Sequence, residues 1–284
     1  MTHELCTVLG VVGAGQMGAG IAQTAAKAGV EVLLADVDKT AAERGKQGIE
    51  TQLKRLLERG KITVDDGKSL LDRIQPVASL DDLRDCQIVI EAVSEQVELK
   101  SSIIKKLDAV LSPDAIIASN TSSISITRLA AATNRPEQVI GMHFMNPVPV
   151  MTLVEIIKGL RTNEATYRAT ALLAEKFGKT TVLGIDSAGF IVNRILMPMI
   201  NEAIYLLQEG VAASDIDTAM KLGTNQPMGP LTLADFIGLD TVLFILQVLH
   251  RDIGDDKYRP CPLLIRYVEA GYLGKKTGRG FHQY

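Results

Sequence analysis

The stretch that decides the fold is Thr7-Val8-Leu9-Gly10-Val11-Val12 followed by Gly13-Ala14-Gly15-Gln16-Met17-Gly18. A run of β-formers ends in a glycine turn, and the amphipathic stretch Ile21 to Ala28 opens behind it. In this arrangement Gly13 serves a tight turn, Gly15 lets the backbone approach a pyrophosphate, and Gly18 lets the helix pack closely on the strand. The helix start then presents free N–H groups to phosphate oxygens, so Gly13, Ala14, Gly15, Gln16, Met17 and Gly18 form a candidate nucleotide cradle. A bare G-x-G-x-x-G string also occurs as an incidental glycine turn. Here Asp36 closes the next strand, Glu31 to Asp36, at the spacing of a ribose-binding carboxylate. Its carboxylate can accept from the 2′- and 3′-hydroxyls of a ribose and would repel a 2′-phosphate, which favours NAD over NADP. Its plain alternative is a solvated turn residue.

Outward from this turn the pattern of strand and helix repeats. Further strands are expected over Gln87 to Val93, Ala115 to Ser119, Val139 to His143, Thr152 to Ile157 and Thr180 to Leu183. Between Asp38 and Gly60, Ile49, Leu53, Leu56 and Leu57 recur at helical spacing with Lys54, Arg55 and Arg59 on the flanks. The character changes near Ile185-Asp186-Ser187-Ala188-Gly189. Beyond it Ile191, Ile195, Leu196, Met199, Ala203, Ile204 and Leu207 trace a broad helical stripe with an expected kink at Pro198. Ser214, with Asp217 three residues on, reads as a helix start before Ala219 and Leu222, and a second long apolar stretch runs from Leu231 to Leu249. The expected fold is α/β: a Rossmann-type, mainly parallel sheet domain over residues 1–187, then a smaller all-helical domain over 188–284. The helical part carries more apolar surface than its size would hide, which predicts a homodimer through that domain.

The 284 residues are 46% hydrophobic and 22% charged, ordinary for a folded chain, and the net charge of −3 offers no basic field to a nucleic-acid backbone. Cys6, Cys86 and Cys261 are an odd three at long spacings, so neither a zinc cluster nor a disulfide framework is expected. The glycine turn at Gly13 leaves no room for a signal peptide, the Met1-Thr2-His3-Glu4 start is not Arg-rich, and the apolar runs are too short for a bilayer. These features predict a cytoplasmic protein with no membrane or nucleic-acid partner and a small-molecule ligand.

A second cluster of motifs carries the chemistry. Ser119-Asn120-Thr121-Ser122-Ser123 follows a strand end, where ligands bind in open α/β sheets. His143-Phe144-Met145-Asn146-Pro147-Val148-Pro149 ends another strand in a proline turn, and Glu155 lies on the strand after it. If the chain doubles back there, imidazole and carboxylate meet across the pair. A His held by a carboxylate has one tautomer and a stabilised imidazolium, as suits a group that exchanges a proton with a hydroxyl while hydride leaves carbon. Each residue also has a bland explanation: a structural His, an exposed strand carboxylate, a helix cap.

Together with Glu91-Ala92-Val93-Ser94-Glu95, Gly189-Phe190-Ile191-Val192-Asn193-Arg194, Pro227-Met228-Gly229-Pro230 and Gly274-Lys275-Lys276-Thr277-Gly278, these motifs resemble the L-3-hydroxyacyl-CoA dehydrogenase family over the whole chain. The resemblance is strongest to its bacterial two-domain members acting on 3-hydroxybutyryl-CoA. It implies an NAD-dependent oxidoreductase interconverting (S)-3-hydroxybutyryl-CoA, or related short 3-hydroxyacyl-CoA thioesters, and acetoacetyl-CoA, with no metal. It implies His143 as general acid/base, Glu155 as its orienting partner, and Ser122 and Asn193 as donors to the substrate oxygens. Glu95, Lys100, Ser122, Asn146 and Lys276 would join Asp36 around NAD, and Lys54, Arg55 and Arg59 would face the CoA phosphates. The family's acyl-CoA lies between the two domains. Family lysine spacing would place a lysine where Arg59 stands. Two other functions stay open: a dehydrogenase of free 3-hydroxy acids, and a non-enzymatic NAD-binding protein, which would not need His143, Glu155, Ser122 and Asn193 together.

Overall fold

The computed structural model of the chain describes residues 6–284, so the reading of the Met1-Thr2-His3-Glu4 start lies outside the described residues. The chain divides into two compact units between Asp186 and Ser187.

The N-terminal unit runs β1 (Val8–Val12), α1 (Gln16–Lys27), β2 (Glu31–Ala35), α2 (Lys39–Glu58), α3 (Val64–Asp72), β3 (Ile74–Pro76), β4 (Ile88–Glu91), α4 (Val97–Val110), β5 (Ile116–Ser119), α5 (Ile126–Ala130), β6 (Val139–Phe144), β7 (Leu153–Lys158), α6 (Glu164–Lys176) and β8 (Thr180–Ile185). The strands form one sheet in the order β3-β2-β1-β4-β5-β6-β7-β8. All neighbours are parallel except β6 and β7. The mainly parallel α/β expectation is met, with each expected strand present to within two residues at either end. β3 was not foreseen: Ile74-Gln75-Pro76 is too short to show alternation, and it pairs because the β2 edge is open beside it.

The order reverses beside β1, whose two neighbours are β2 on one side and β4 on the other. Brändén's rule puts the ligand crevice outside the strand ends at such a switch point. The starts of α2, α3 and α6 are fixed by short polar side chains. Asp38 accepts from Ala41 N at 2.7 Å, Thr63 and Asp66 form a reciprocal capping box, and Asn163 accepts from Thr166 N at 2.8 Å. Each such cap contributes about 1 kcal/mol. Asp186 closes the unit by accepting from Ile126 N and Thr127 N at the start of α5.

The C-terminal unit holds α7 (Val192–Gln208), α8 (Ala213–Gly223), α9 (Pro230–Ile237), α10 (Leu239–Ile253) and α11 (Pro262–Glu269). Its core is built from Met197, Ile200, Ile204, Leu239, Leu246, Leu249 and Leu264. α7 continues through Pro198. The apolar stretch Leu231 to Leu249 holds two helices, because Gly238 at φ 102° breaks it and α9 and α10 meet at 98°. The helix start expected at Ser214 is met within one residue, but Asp217 does not cap it. α8 begins at Ala213 after Ala212, while Asp217 is buried and accepts from Leu231 N (2.8 Å), Thr232 N (2.9 Å) and His282 Nε2 (2.9 Å). A carboxylate with these long-range donors gains more than one at an exposed cap. Among the described residues no single helix is long and apolar enough to cross a membrane.

The glycine turn sets the tightest tolerance in the N-terminal unit. A Cβ on Gly18 would lie 1.7 Å from the Gly13 carbonyl oxygen, which is backbone and cannot rotate away. Gly18→Ala is therefore expected to lower the stability of the protein by about 1–3 kcal/mol. Urea unfolding is the measurement, and an unchanged midpoint would show that the turn has slack.

Candidate active site

At the C-terminal ends of β1, β2 and β4 lies a cavity of about 1000 Å³, lined by Gly13, Gly15, Gln16, Met17, Asp36, Val93 and Ser94 among others. Gly13 adopts φ 99°, and a Cβ there would meet Ala92 O at 2.7 Å, so β1 and β4 approach backbone to backbone. A Cβ on Gly15 would meet nothing within 4 Å, leaving the backbone open for a ligand's approach. Gly15 is also the N-cap of α1, and no side chain among the described residues caps that helix. Its first N–H groups are thus placed for an anionic ligand. Asp36 uses one carboxylate oxygen on Ala14 N (2.6 Å) and the other on Val37 N (2.7 Å). Both bonds hold it at the cavity wall with lone pairs left for hydroxyl donors. These features fit a dinucleotide.

The far wall was not legible in the sequence reading. Ser79, Leu80 and Asp81 line the cavity from a short turn, with Ser102 and Lys106 of α4. The turn starts with a reciprocal Ser79–Asp82 capping box, a spacing that was there to be read. Gln16 reaches beyond the cradle, donating through Nε2 to Asn146 Oδ1 at 3.1 Å.

Beside this cavity the ends of β4 and β5 carry a polar cluster. Glu91, fully buried, accepts from Lys100 Nζ (2.8 Å) and Val93 N (2.7 Å) on one oxygen and from Ser119 Oγ (2.6 Å) on the other. Lys100, only 1% exposed, also donates to Val93 O and lies 3.3 Å from Glu95 Oε2. One Glu95 oxygen collects Thr121 Oγ1 (2.6 Å), Ser122 N (2.9 Å), Ser122 Oγ (3.2 Å), Ser123 N (3.1 Å) and Ser123 Oγ (3.0 Å). Glu91 was missed as a functional candidate because nothing local in its motif distinguishes it from an ordinary strand-end carboxylate.

The antiparallel pair β6 and β7 sets His143 opposite Glu155 in register. His143 Nδ1 donates to Glu155 Oε2 at 2.6 Å; the His143 side chain is 9% exposed and that of Glu155 fully buried. Asn120 Oδ1 accepts from Phe144 N at 2.9 Å, which ties the Ser-Asn-Thr run to the end of β6. The proline turn is held by Lys179, whose Nζ donates to Val148 O (2.6 Å) and Met151 O (2.7 Å). Burial pushes that ammonium's pKa down, and nearby Lys27 adds to the effect.

The remaining sequence candidates lie elsewhere. Lys54, Arg55 and Arg59 are exposed at the end of α2, with Lys54 paired to Glu50 at 2.8 Å. In the C-terminal unit Asn193 is half-buried in the first turn of α7, and Lys276 pairs with Asp240 at 2.6 Å.

Residues 8–187 match the family model described as 3-hydroxyacyl-CoA dehydrogenase, NAD binding domain, and residues 189–284 match that of the C-terminal domain. The chain belongs to the 3-hydroxyacyl-CoA dehydrogenase family. It is 56% identical to a 3-hydroxybutyryl-CoA dehydrogenase of Bradyrhizobium diazoefficiens, over 97% of this chain and 94% of that one. It is 41% identical to the human mitochondrial hydroxyacyl-coenzyme A dehydrogenase, over 96% of this chain and 90% of that one. The crystal structure of (S)-3-hydroxybutyryl-CoA dehydrogenase from Ralstonia eutropha superposes with a TM-score of 0.95 at 50% identity, covering 98% and 99% of the two chains. The N-terminal unit is thus the family's NAD binding domain, and the cavity at the switch point lies within it.

Burial alone would raise the pKa of Glu95, but the Lys100 ammonium and the donors from Thr121, Ser122 and Ser123 outweigh it and hold the carboxyl below its usual range. A depressed carboxylate stabilises the fold above its unfolded pKa, about 4.3, and this contribution is lost as the pH falls through the lower folded value. Glu95→Gln should therefore flatten the acid limb of the stability curve below about pH 4.3. Thermal unfolding of both proteins across that window checks it, and parallel curves would show that Glu95 is not the group responsible.

Proposed function

We propose that the protein interconverts (S)-3-hydroxybutyryl-CoA and acetoacetyl-CoA with NAD(H). The observation that carries this reading is the buried His143–Glu155 pair in the same unit as the dinucleotide cavity. Family membership and the names of its relatives support the substrate class.

Bound at the cavity, NAD would accept or supply the hydride. Gly13 to Gly18 and the start of α1 would hold its pyrophosphate and Asp36 its ribose hydroxyls, with Glu95, Lys100, Asn146 and Lys276 as further contacts. Glu155 holds the imidazole in the tautomer with the proton on Nδ1 and stabilises the charge that develops on it. His143 then exchanges protons through Nε2, taking the 3-hydroxyl proton in oxidation and returning it in reduction. Ser122 has one hydroxyl hydrogen and directs it at Glu95 over 3.2 Å, the longest of the five contacts on that oxygen. Turning it toward a substrate oxygen costs little, because Ser122 N continues to serve Glu95. Asn193 is assigned as the second donor, and Lys54, Arg55 and Arg59 as contacts of the CoA phosphates.

Purified protein should oxidise NADH with acetoacetyl-CoA, at a much higher kcat/KM than with NADPH or with free acetoacetate. His143→Asn should lower turnover by roughly 10²- to 10⁴-fold with little change in NADH affinity. Near-normal turnover in that variant would remove His143 from the mechanism, and activity on the free acid alone would replace the thioester reading.

The C-terminal unit exposes Ile195, Leu206, Phe236 and Phe244, at 68%, 41%, 55% and 42%. We assign this apolar surface to a homodimer. Light scattering after gel filtration should return twice the chain mass, and a monomer at micromolar concentration would refute the assignment.

A further inference from the structure

Glu91, Lys100 and Glu95 put two carboxylates on one ammonium. Lys100 Nζ lies 2.8 Å from Glu91 and 3.3 Å from Glu95. The groups facing those carboxylates are donors. Val93 N and Lys100 Nζ serve one oxygen of Glu91, and Ser119 Oγ serves the other. Ser119 Oγ itself accepts from Thr121 N at 3.3 Å, which leaves its hydrogen for Glu91. Backbone N–H and hydroxyl groups serve Glu95 in the same way. The polar contacts on both carboxylates come from donors, as accepting oxygens require. The cluster thus carries one net negative charge, most of it away from water, since Glu91 and Lys100 are 0% and 1% exposed.

Its position gives that charge a use. Val93 and Ser94, which lie between Glu91 and Glu95 in the chain, line the dinucleotide cavity. The two redox forms of a nicotinamide cofactor differ by one positive charge on the ring. A fixed negative charge in a low-dielectric wall therefore distinguishes them, and does so more strongly than it would in water.

We infer that the Glu91–Lys100–Glu95 cluster weights cofactor binding toward the oxidised form, whose ring is cationic, with Glu91 as a positioning residue that acts through Lys100 and Ser119. The inference rests on NAD binding at this cavity, and it adds a role for a residue that touches neither cofactor nor substrate.

The test is equilibrium binding without thioester: NAD⁺ by calorimetry and NADH by its fluorescence, on the full chain. Glu91→Gln and Glu95→Gln each remove one negative charge, and each should raise the ratio of the NAD⁺ Kd to the NADH Kd by about tenfold. Glu91→Gln/Lys100→Met removes one charge of each sign, keeps the net charge of the wild type, and should return the ratio to within about threefold of it. A purely structural role would weaken both forms alike in the single variants and would make the double variant no better. Unmoved ratios in Glu91→Gln and Glu95→Gln overturn the inference. Glu95 is 23% exposed, so its variant carries the test if Glu91→Gln does not fold. A wild type that binds neither form defeats the NAD reading and this inference with it, whereas a wild type that binds both with ratios indifferent to charge defeats this inference alone.

Discussion

Backbone meets backbone where β1 leaves the sheet: a side chain on Gly13 would strike Ala92 O at 2.7 Å, and one on Gly18 would strike Gly13 O at 1.7 Å. This close approach brings the end of β1 against the end of β4 and starts α1 directly behind the turn. The crevice at the switch point depends on it. Gly45 repeats the constraint from the other side, because a Cβ there would lie 2.6 Å from that of Ala14, so α2 packs directly on the turn. With α1, α2 and β4 all gathered on one loop, Asp36 reaches Ala14 N across a gap of 22 residues. The nucleotide cradle is thus a by-product of sheet packing in which no bulky residue intervenes.

A second constraint is topological. Among the described residues β6 and β7 are the one antiparallel pair in an otherwise parallel sheet, and the strand register sets His143 opposite Glu155. Directly opposed residues in such a pair bring their side chains within reach of each other on the same face. A slip of one residue would send the imidazole and the carboxylate to opposite faces. The turn between the strands is braced by Lys179, and the strand end by Asn120, so the register is held from both directions. Burial of this pair, and of Glu91 with Lys100, places charge where water cannot screen it, which is costly for folding unless every partner is present. The hydrogen-bond partners around Glu91, Lys100 and Glu95 meet that condition.

Much of this was legible in residue order. The strand, glycine turn and amphipathic helix at the N-terminus announced the nucleotide domain because period and turn chemistry are local properties. The change to helical stripes after Ile185 marked the second unit for the same reason. Other features escaped. Leu231 to Leu249 reads as one long apolar stretch, and the backbone of Gly238 at φ 102° divides it into two helices. Asp217 has the spacing of a cap, yet its partners Leu231 and Thr232 lie far along the chain and no local pattern could announce them. β3 went unseen because three residues carry no period.

What the sequence by itself determined was the set of elements and the identity of the polar groups: the glycines that allow close approach, Asp36 at a strand end, and His143 and Glu155 on successive strands. Propensity, periodicity and turn chemistry act over a few residues, so they can be read without coordinates. Tertiary structure alone decided which of these groups share a charge. Glu91, Lys100, Ser119 and Glu95 are unremarkable in order, and they become one largely buried network only because β4 and β5 are neighbours and α4 folds back over their ends. Electrostatic energy depends on distance and burial, and neither exists until the chain has folded.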